Sequence, residues 1–222
     1  MGLEVLHRIV EDQASHTPTR TITDTLEEYE FIEELIENSK PSITLTKHHY
    51  LIRTQFRYPL PVLPRFTARF RAPHSFRNVF YGTFERQTSF YETAYHWLRE
   101  RVHVTGLSQT PEPRTHFTVD FNDPKAMDIC VHEDIVKIMD KKDYSHSHAL
   151  VAKHPKVSSI VYPSCRDPKH GKCAAVFELL TLGEKPLSNE ALFFIYDSKA
   201  LSCTIEGLSV DPAIVVPWGL VA

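Results

Sequence analysis

Residues 69–101, RFRAPHSFRNVFYGTFERQTSFYETAYHWLRER, pass from a run of arginines through a short apolar segment straight into a helical pattern. The apolar segment, NVFYGT at 78–83, reads as a buried strand in which Gly82 permits close backbone approach. Phe90, Ala94, Trp97 and Leu98 then recur at helical spacing, predicting a helix from about Thr88 to Val102. A buried strand that feeds directly into an amphipathic helix commits the chain to packing a helix on a sheet.

The rest of the chain extends this pattern without strict alternation of strand and helix. DTLEEYEFIEELIEN at 24–38 is predicted as an amphipathic helix carrying Leu26, Tyr29, Ile32, Leu35 and Ile36 on one face, with Asp24 and Glu27 as its capping box. ITLTKHHYLIRT at 43–54 is rich in β-branched and aromatic residues and predicts one or two strands. Pro59, Pro61 and Pro64 impose an irregular passage before a further strand near Phe66–Phe70. Strands are expected at 116–121, 127–131, 157–162, 173–180, 193–196 and 203–208, and helical runs at about 132–140 and 143–153. The expected class is α+β, a mixed or antiparallel sheet flanked by helices in one structural domain. Within it, residues 1–42 are expected to form a helical region packed on a core built by residues 43–222.

Composition bounds the function classes. With 222 residues and a hydrophobic fraction of 42%, the chain can bury one sizeable core. A formal net charge of −3 disfavours direct nucleic-acid binding or attachment to an anionic membrane. Charge is nevertheless segregated, because 24–37 is acidic without Lys or Arg, whereas 53–77 carries Arg53, Arg57, Arg65, Arg69, Arg71 and Arg77 without Asp or Glu. A local anion site is therefore compatible with a mildly acidic protein. The N-terminal residues lack the apolar core of a signal peptide and no stretch has the apolar length of a membrane span, so a cytoplasmic location is expected. Leu6 occupies the position where myristoylation after Met1-Gly2 requires Ser or Thr. Cys130, Cys165, Cys173 and Cys203 form no CxxC pair, which fits reduced thiols.

Several candidate sites are weak on spacing alone. His48/His49, His146/His148 and the Cys165–His170–Cys173 loop lack a second ligand cluster at zinc spacing, so no metal site is expected. Neither phosphate-binding glycine motif occurs. Glu92 lies in Ser89-Phe90-Tyr91-Glu92, which fits a capping box, in which case it would only bond a backbone N–H. It also follows a strand bearing Tyr81 and a segment bearing Arg69 and Arg71, a setting in which a carboxylate can stabilise a developing cation while guanidinium groups hold phosphates. Ser164, in VYPSCRDP, is either a turn residue or a functional group at a strand end.

Taken together, FRYP at 56–59, ARFRAP at 68–73, VFYG at 79–82, TSFYETAYHWLR at 88–99 and IVYPSCRDPKHGKCAAVF at 160–177 resemble the RES-domain proteins, named for an Arg, a Glu and a Ser. The blocks occur in the family's order and span roughly residues 45–180. The resemblance implies an ADP-ribosyltransferase-like fold and a bacterial toxin that consumes NAD⁺ by cleaving the nicotinamide–ribose bond. The acceptor would be water or phosphate, with ADP-ribose transfer to a protein as the alternative and a catalytically silent nucleotide- or partner-binding module as the second. It further implies that Glu92, Arg69 and Ser164 are catalytic, that Tyr81, Arg71 and Arg57, or Arg53 in its place, bind substrate, and that NAD⁺ is a substrate rather than a cofactor. A cognate antitoxin protein is the implied partner. Ser89 and Tyr91 depart from the small residues that relatives carry around the helix carboxylate.

Overall fold

The computed structural model describes residues 4–11, 25, 28, 31, 32, 35, 47–57, 60–64, 67–107 and 109–222. One sheet of nine strands dominates, built from β1 (Glu4–Glu11), β2 (Phe80–Thr83), β3 (Glu112–Phe121), β4 (Met127–Asp128), β5 (Ser159–Pro163), β6 (Lys172–Val176), β7 (Ser188–Asp197), β8 (Ser202–Gly207) and β9 (Val210–Pro217). Their spatial order is β4-β5-β6-β2-β1-β3-β7-β8-β9, antiparallel throughout except for the β4–β5 pair. Among the described residues, five short or medium helices with full bounds accompany it: α1 (Tyr50–Arg53), α2 (Arg86–Arg99), α3 (Ile135–Ile138), α4 (Ser145–Lys153) and α5 (Trp218–Val221). The α+β expectation with a mixed, mainly antiparallel sheet describes this architecture.

Packing follows the alternation of side chains across the strands. On one face Ile9, Leu192, Phe194, Tyr196 and Ile205 pack against Phe90, Ala94, Trp97 and Leu98 of α2. On the other face Leu6, Phe80, Phe117 and Val119 pack against Leu51 and Ile52 of α1. A third cluster joins Phe70 and Val79 to Ile160, Tyr162 and Ala175 at the β5–β6 end.

Several expectations are corrected. The first strand was not anticipated: Glu4–Glu11 is a central strand rather than part of an N-terminal helical region, and it aligns eight residues with β3 from Glu4↔Phe121 to Glu11↔Arg114. The helix expected over 24–38 lies largely outside the described residues. The described Glu28, Phe31, Ile32 and Leu35 are helical, and reciprocal capping bonds join Thr25 and Glu28 at 3.2 Å, while the expected Asp24–Glu27 box lies outside the described residues. Residues 43–46 are likewise outside the description, but Tyr50–Arg53 is helix, not strand. The consecutive residues Leu51 and Ile52 are both buried, which a strand presenting alternate residues to opposite faces cannot arrange on one side. The strand expected near Phe66–Phe70 is replaced over 68–71 by a closed turn, with Ala68 and Arg71 exchanging backbone hydrogen bonds at 3.0 Å in both directions. Strand β9 and helix α5 extend the C-terminal region beyond the expected elements.

Candidate active site

The sheet is continuous except at one seam. Whereas β1 pairs with β3 along its whole length, its register with β2 consists of His7↔Thr83 alone. On either side of that pair the two strands part, and a cleft of about 370 Å³ opens beside α2. Its walls include Arg8 and His7 from β1, Tyr81 from β2, Glu92 from α2, Arg69 from the 68–71 turn, and Arg166 from the loop after β5. This size suits a small-molecule site.

Each wall has a local reason for its shape. Helix α2 begins at Arg86, with Glu85 as its N-cap, so Glu92 lies in the second turn rather than in a capping box at the start. Ser89, the supposed partner of that box, instead donates its hydroxyl to the Arg86 carbonyl at 2.6 Å. Thr88 and Glu92 are one turn apart and share a face. The loop between β5 and β6 meets both: Asp167 Oδ2 accepts from Thr88 Oγ1 at 2.7 Å, and Ser164 Oγ donates to Glu92 Oε1 at 2.6 Å. Ser164 is 1% exposed, and its oxygen also accepts from the backbone N–H groups of Arg166 and Asp167 at 3.0 and 2.9 Å. Gly171 closes the loop, donating its N–H to Asp167 Oδ2 at 3.3 Å. A Cβ at residue 171 would lie 2.0 Å from Thr88 Oγ1, so this junction excludes a side chain.

Arg69 is held from two directions. Ser147 and His148 of α4 bond the carbonyls of Arg69 and Ala68 at 2.6 and 2.9 Å, which fixes the turn. The guanidinium donates to the carbonyls of Ile138 and Asp140 at 2.8 and 2.9 Å and to Cys165 Sγ at 3.0 Å, and it lies 4.9 Å from the Tyr144 ring centre. Tyr81 Oη accepts the Phe70 N–H at 3.1 Å, and burial raises its pKa. Across the seam, Arg8 donates to the Tyr81 carbonyl at 2.5 Å, so a side chain occupies a place where a continuous ladder would put a backbone donor.

The site's electrostatics centre on Glu92. Burial raises its pKa, while the bond from Ser164 and the positive charges of Arg69 and Arg166 act in the opposite direction. Arg166 is 3% exposed and is tied to the C-terminal helix by a bond to the Val221 carbonyl, at 2.8 Å, and to the segment between α3 and α4 by a bond to the Lys141 carbonyl, at 2.9 Å. It also stacks 3.5 Å from the centre of the Tyr95 ring. A carboxylate flanked by guanidinium groups in a partly enclosed cleft can stabilise a cation at one end of a ligand whose other end is anionic.

Of the residues singled out from sequence, Arg69, Tyr81 and Glu92 line one cleft and Ser164 bonds Glu92 directly. Arg53, Arg57 and Arg71 are not among its lining residues. Arg53 ends α1, the Arg57 N–H closes the turn after α1 on the Thr54 carbonyl at 3.2 Å, and Arg71 closes the turn with Ala68. Arg8, His7, His96 and Arg166 are among the lining residues that sequence reasoning passed over. For Arg8 the available signal was the β-branched content of VLHRIV, with Val5, Ile9 and Val10, which favours a strand over residues 4–11 and brings an arginine into the sheet. Among the described residues no group of three or more His, Cys, Asp or Glu side chains is placed to hold a metal ion. No described helix is long and apolar enough to cross a membrane.

The family model for the RES domain matches residues 42–188. Among solved structures, the chain is similar to a chain of the M. tuberculosis MbcT–MbcA toxin–antitoxin complex at 11% identity and a TM-score of 0.47, over 86% of this chain and 85% of that one. It is also similar to EcPltA at 10% identity and a TM-score of 0.29, over 100% of this chain and 89% of that one. No curated protein matches this chain.

Proposed function

The chain belongs to the RES-domain family, and we propose that its cleft binds NAD⁺ and breaks the bond between nicotinamide and ribose, as a toxin-like enzyme that passes ADP-ribose to water or phosphate. The observation that carries this reading is the Ser164–Glu92 bond of 2.6 Å in a cleft also lined by Arg8, Arg69 and Arg166. Breaking the glycosidic bond generates an oxocarbenium-like ribose, and an ionised Glu92 next to it lowers the energy of that cation. Ser164 fixes the carboxylate's orientation, because its hydroxyl is itself anchored by two backbone N–H groups. The arginines supply positive charge for the pyrophosphate, and Tyr81 borders the nicotinamide. Nicotinamide departs as a neutral molecule, so the leaving group needs no proton.

An enzyme of this kind threatens the cell that makes it, so a cognate antitoxin that covers the cleft forms part of the reading. Incubating purified protein with NAD⁺, with and without phosphate, and identifying products by mass spectrometry tests the chemistry. ADP-ribose with nicotinamide, or phosphorylated ADP-ribose with nicotinamide, is the expected outcome. Intact NAD⁺ in both incubations would refute the reading, and label appearing only on proteins of a treated lysate would move it to ADP-ribose transfer.

A further inference from the structure

A line of polar groups crosses three strands on the α2 face of the sheet and ends in the cleft. His116 on β3 stands opposite Ile9 of β1 and opposite Glu190 of β7, so His116 and Glu190 are direct cross-strand neighbours and His7 is the diagonal one. The side chains are connected: His7 Nδ1 lies 3.1 Å from His116 Nε2, and His116 Nδ1 lies 2.9 Å from Glu190 Oε1. Glu190 also receives Arg86 at 2.5 Å and the Ser209 hydroxyl. The two imidazoles stack with centres 5.3 Å apart. None of these groups belongs to the Glu92–Ser164 pair.

The partners dictate where the protons sit. Glu190, facing an arginine and a hydroxyl, is an acceptor, so His116 carries its proton on Nδ1 and leaves Nε2 bare. Nε2 then accepts from His7 Nδ1–H, and the bare nitrogen of His7 is Nε2. His7 lines the cleft, and its Nε2 has no hydrogen-bond partner among the described residues. Burial and the charge of Arg86 lower the pKa of His7 against the opposing pull of Glu190, and burial together with His7 lowers that of His116 to about 4. Both rings are therefore neutral near pH 7.

We propose that His7 accepts the proton of the attacking water when NAD⁺ is hydrolysed, with His116 and Glu190 as positioning residues that hold His7 in the tautomer presenting a bare Nε2 to the cleft. The proposal rests on the NAD⁺ reading above. In the step, the C1′–N bond breaks and its electron pair leaves with nicotinamide. A water oxygen bonds C1′, and one water proton passes to His7 Nε2. The resulting imidazolium is held by the hydrogen-bonded chain to Glu190 until the proton returns to solvent. An anionic nucleophile has no proton to surrender, so His7 is needed for water and dispensable for azide.

The test measures nicotinamide release by wild type and His7→Gln, each with and without azide, alongside thermal melting. His7→Gln is expected to lower hydrolysis about 100-fold, to keep its melting temperature within a few degrees, and to recover release when azide is added. Hydrolysis within about threefold of wild type would remove His7 from the mechanism while leaving the NAD⁺ reading intact. Equal loss with water and azide in a folded variant would make His7 a binding or packing residue instead. No nicotinamide from wild type would overturn the NAD⁺ reading and this proposal with it. Independently of turnover, nitrogen-15 NMR of the wild-type histidines should find His7 protonated on Nδ1 at neutral pH, and protonation on Nε2 would contradict the relay.

Discussion

The two edges of β1 are built from the same eight residues and behave oppositely. Toward β3 the strand pairs from end to end, and the flanking side chains Leu6, Phe117 and Val119 are fully buried. Toward β2 it pairs once, at His7↔Thr83, and the neighbouring space is lined by charged and hydroxyl groups. A closed ladder satisfies its own backbone and needs only apolar filling, whereas an open seam leaves polar groups that must find side chains or a ligand. Stability is therefore concentrated on one edge of this strand and chemistry on the other.

Substitutions on the two edges should separate accordingly. On the closed edge, Phe117→Ala removes a ring that packs edge-on against Phe80 at 6.4 Å and should cost about 3–5 kcal/mol of stability, with nicotinamide release per folded molecule unchanged. Denaturant unfolding paired with an activity assay checks both halves, and a comparable loss of specific activity would break the separation. On the open edge, Arg8→Met should do the reverse. Loss of a charged donor predicts about a tenfold to hundredfold fall in kcat/KM, through a raised KM, with a small change in melting temperature.

Ser164→Ala sharpens the contrast, since this residue serves both purposes. It strips the acceptor from two backbone N–H groups and the donor from Glu92, so stability should fall by about 1–3 kcal/mol and turnover should fall with it. A change in turnover without any change in unfolding would show that the loop is held by other contacts. The smallest effect is that of pH. Because burial raises the pKa of Glu92, release should increase with pH through a midpoint above the ordinary carboxylate range. Stability moves the other way, since a group whose folded pKa is raised contributes most below its unfolded pKa and loses that contribution as pH rises through the folded value. An acid limb at an ordinary carboxylate midpoint would contradict the placement of Glu92.

The same contrast explains what could be read from the chain beforehand. Strands such as NVFYGT and SIVYP announced themselves through apolar runs, and the helix through the spacing of Phe90, Ala94, Trp97 and Leu98. Arg69, Tyr81, Glu92 and Ser164 were legible as separate residues because local sequence blocks carry them. What was not legible depends on long-range pairing. The β-branched residues of VLHRIV favour a strand, yet only the sheet order makes it the central strand and sets Arg8 against Tyr81. His7, His116 and Glu190 are separated by more than a hundred and by seventy-four positions, and only cross-strand register aligns them. The arginines at 53, 57 and 71 looked equivalent to Arg69 in composition, but only Arg69 is among the residues that line the cleft, although the charge of Arg71 still acts on Tyr81.

The central claim is that an ionised Glu92, held by Ser164, drives cleavage of NAD⁺, and Glu92→Gln tests it most directly. Glutamine keeps an oxygen that can accept from Ser164 and removes both the charge and the buried ionisation, so the variant should melt at or above the wild-type temperature. Nicotinamide release measured on the two purified proteins should fall by about 10²–10³-fold in the variant. Release by Glu92→Gln at the wild-type rate would contradict the account.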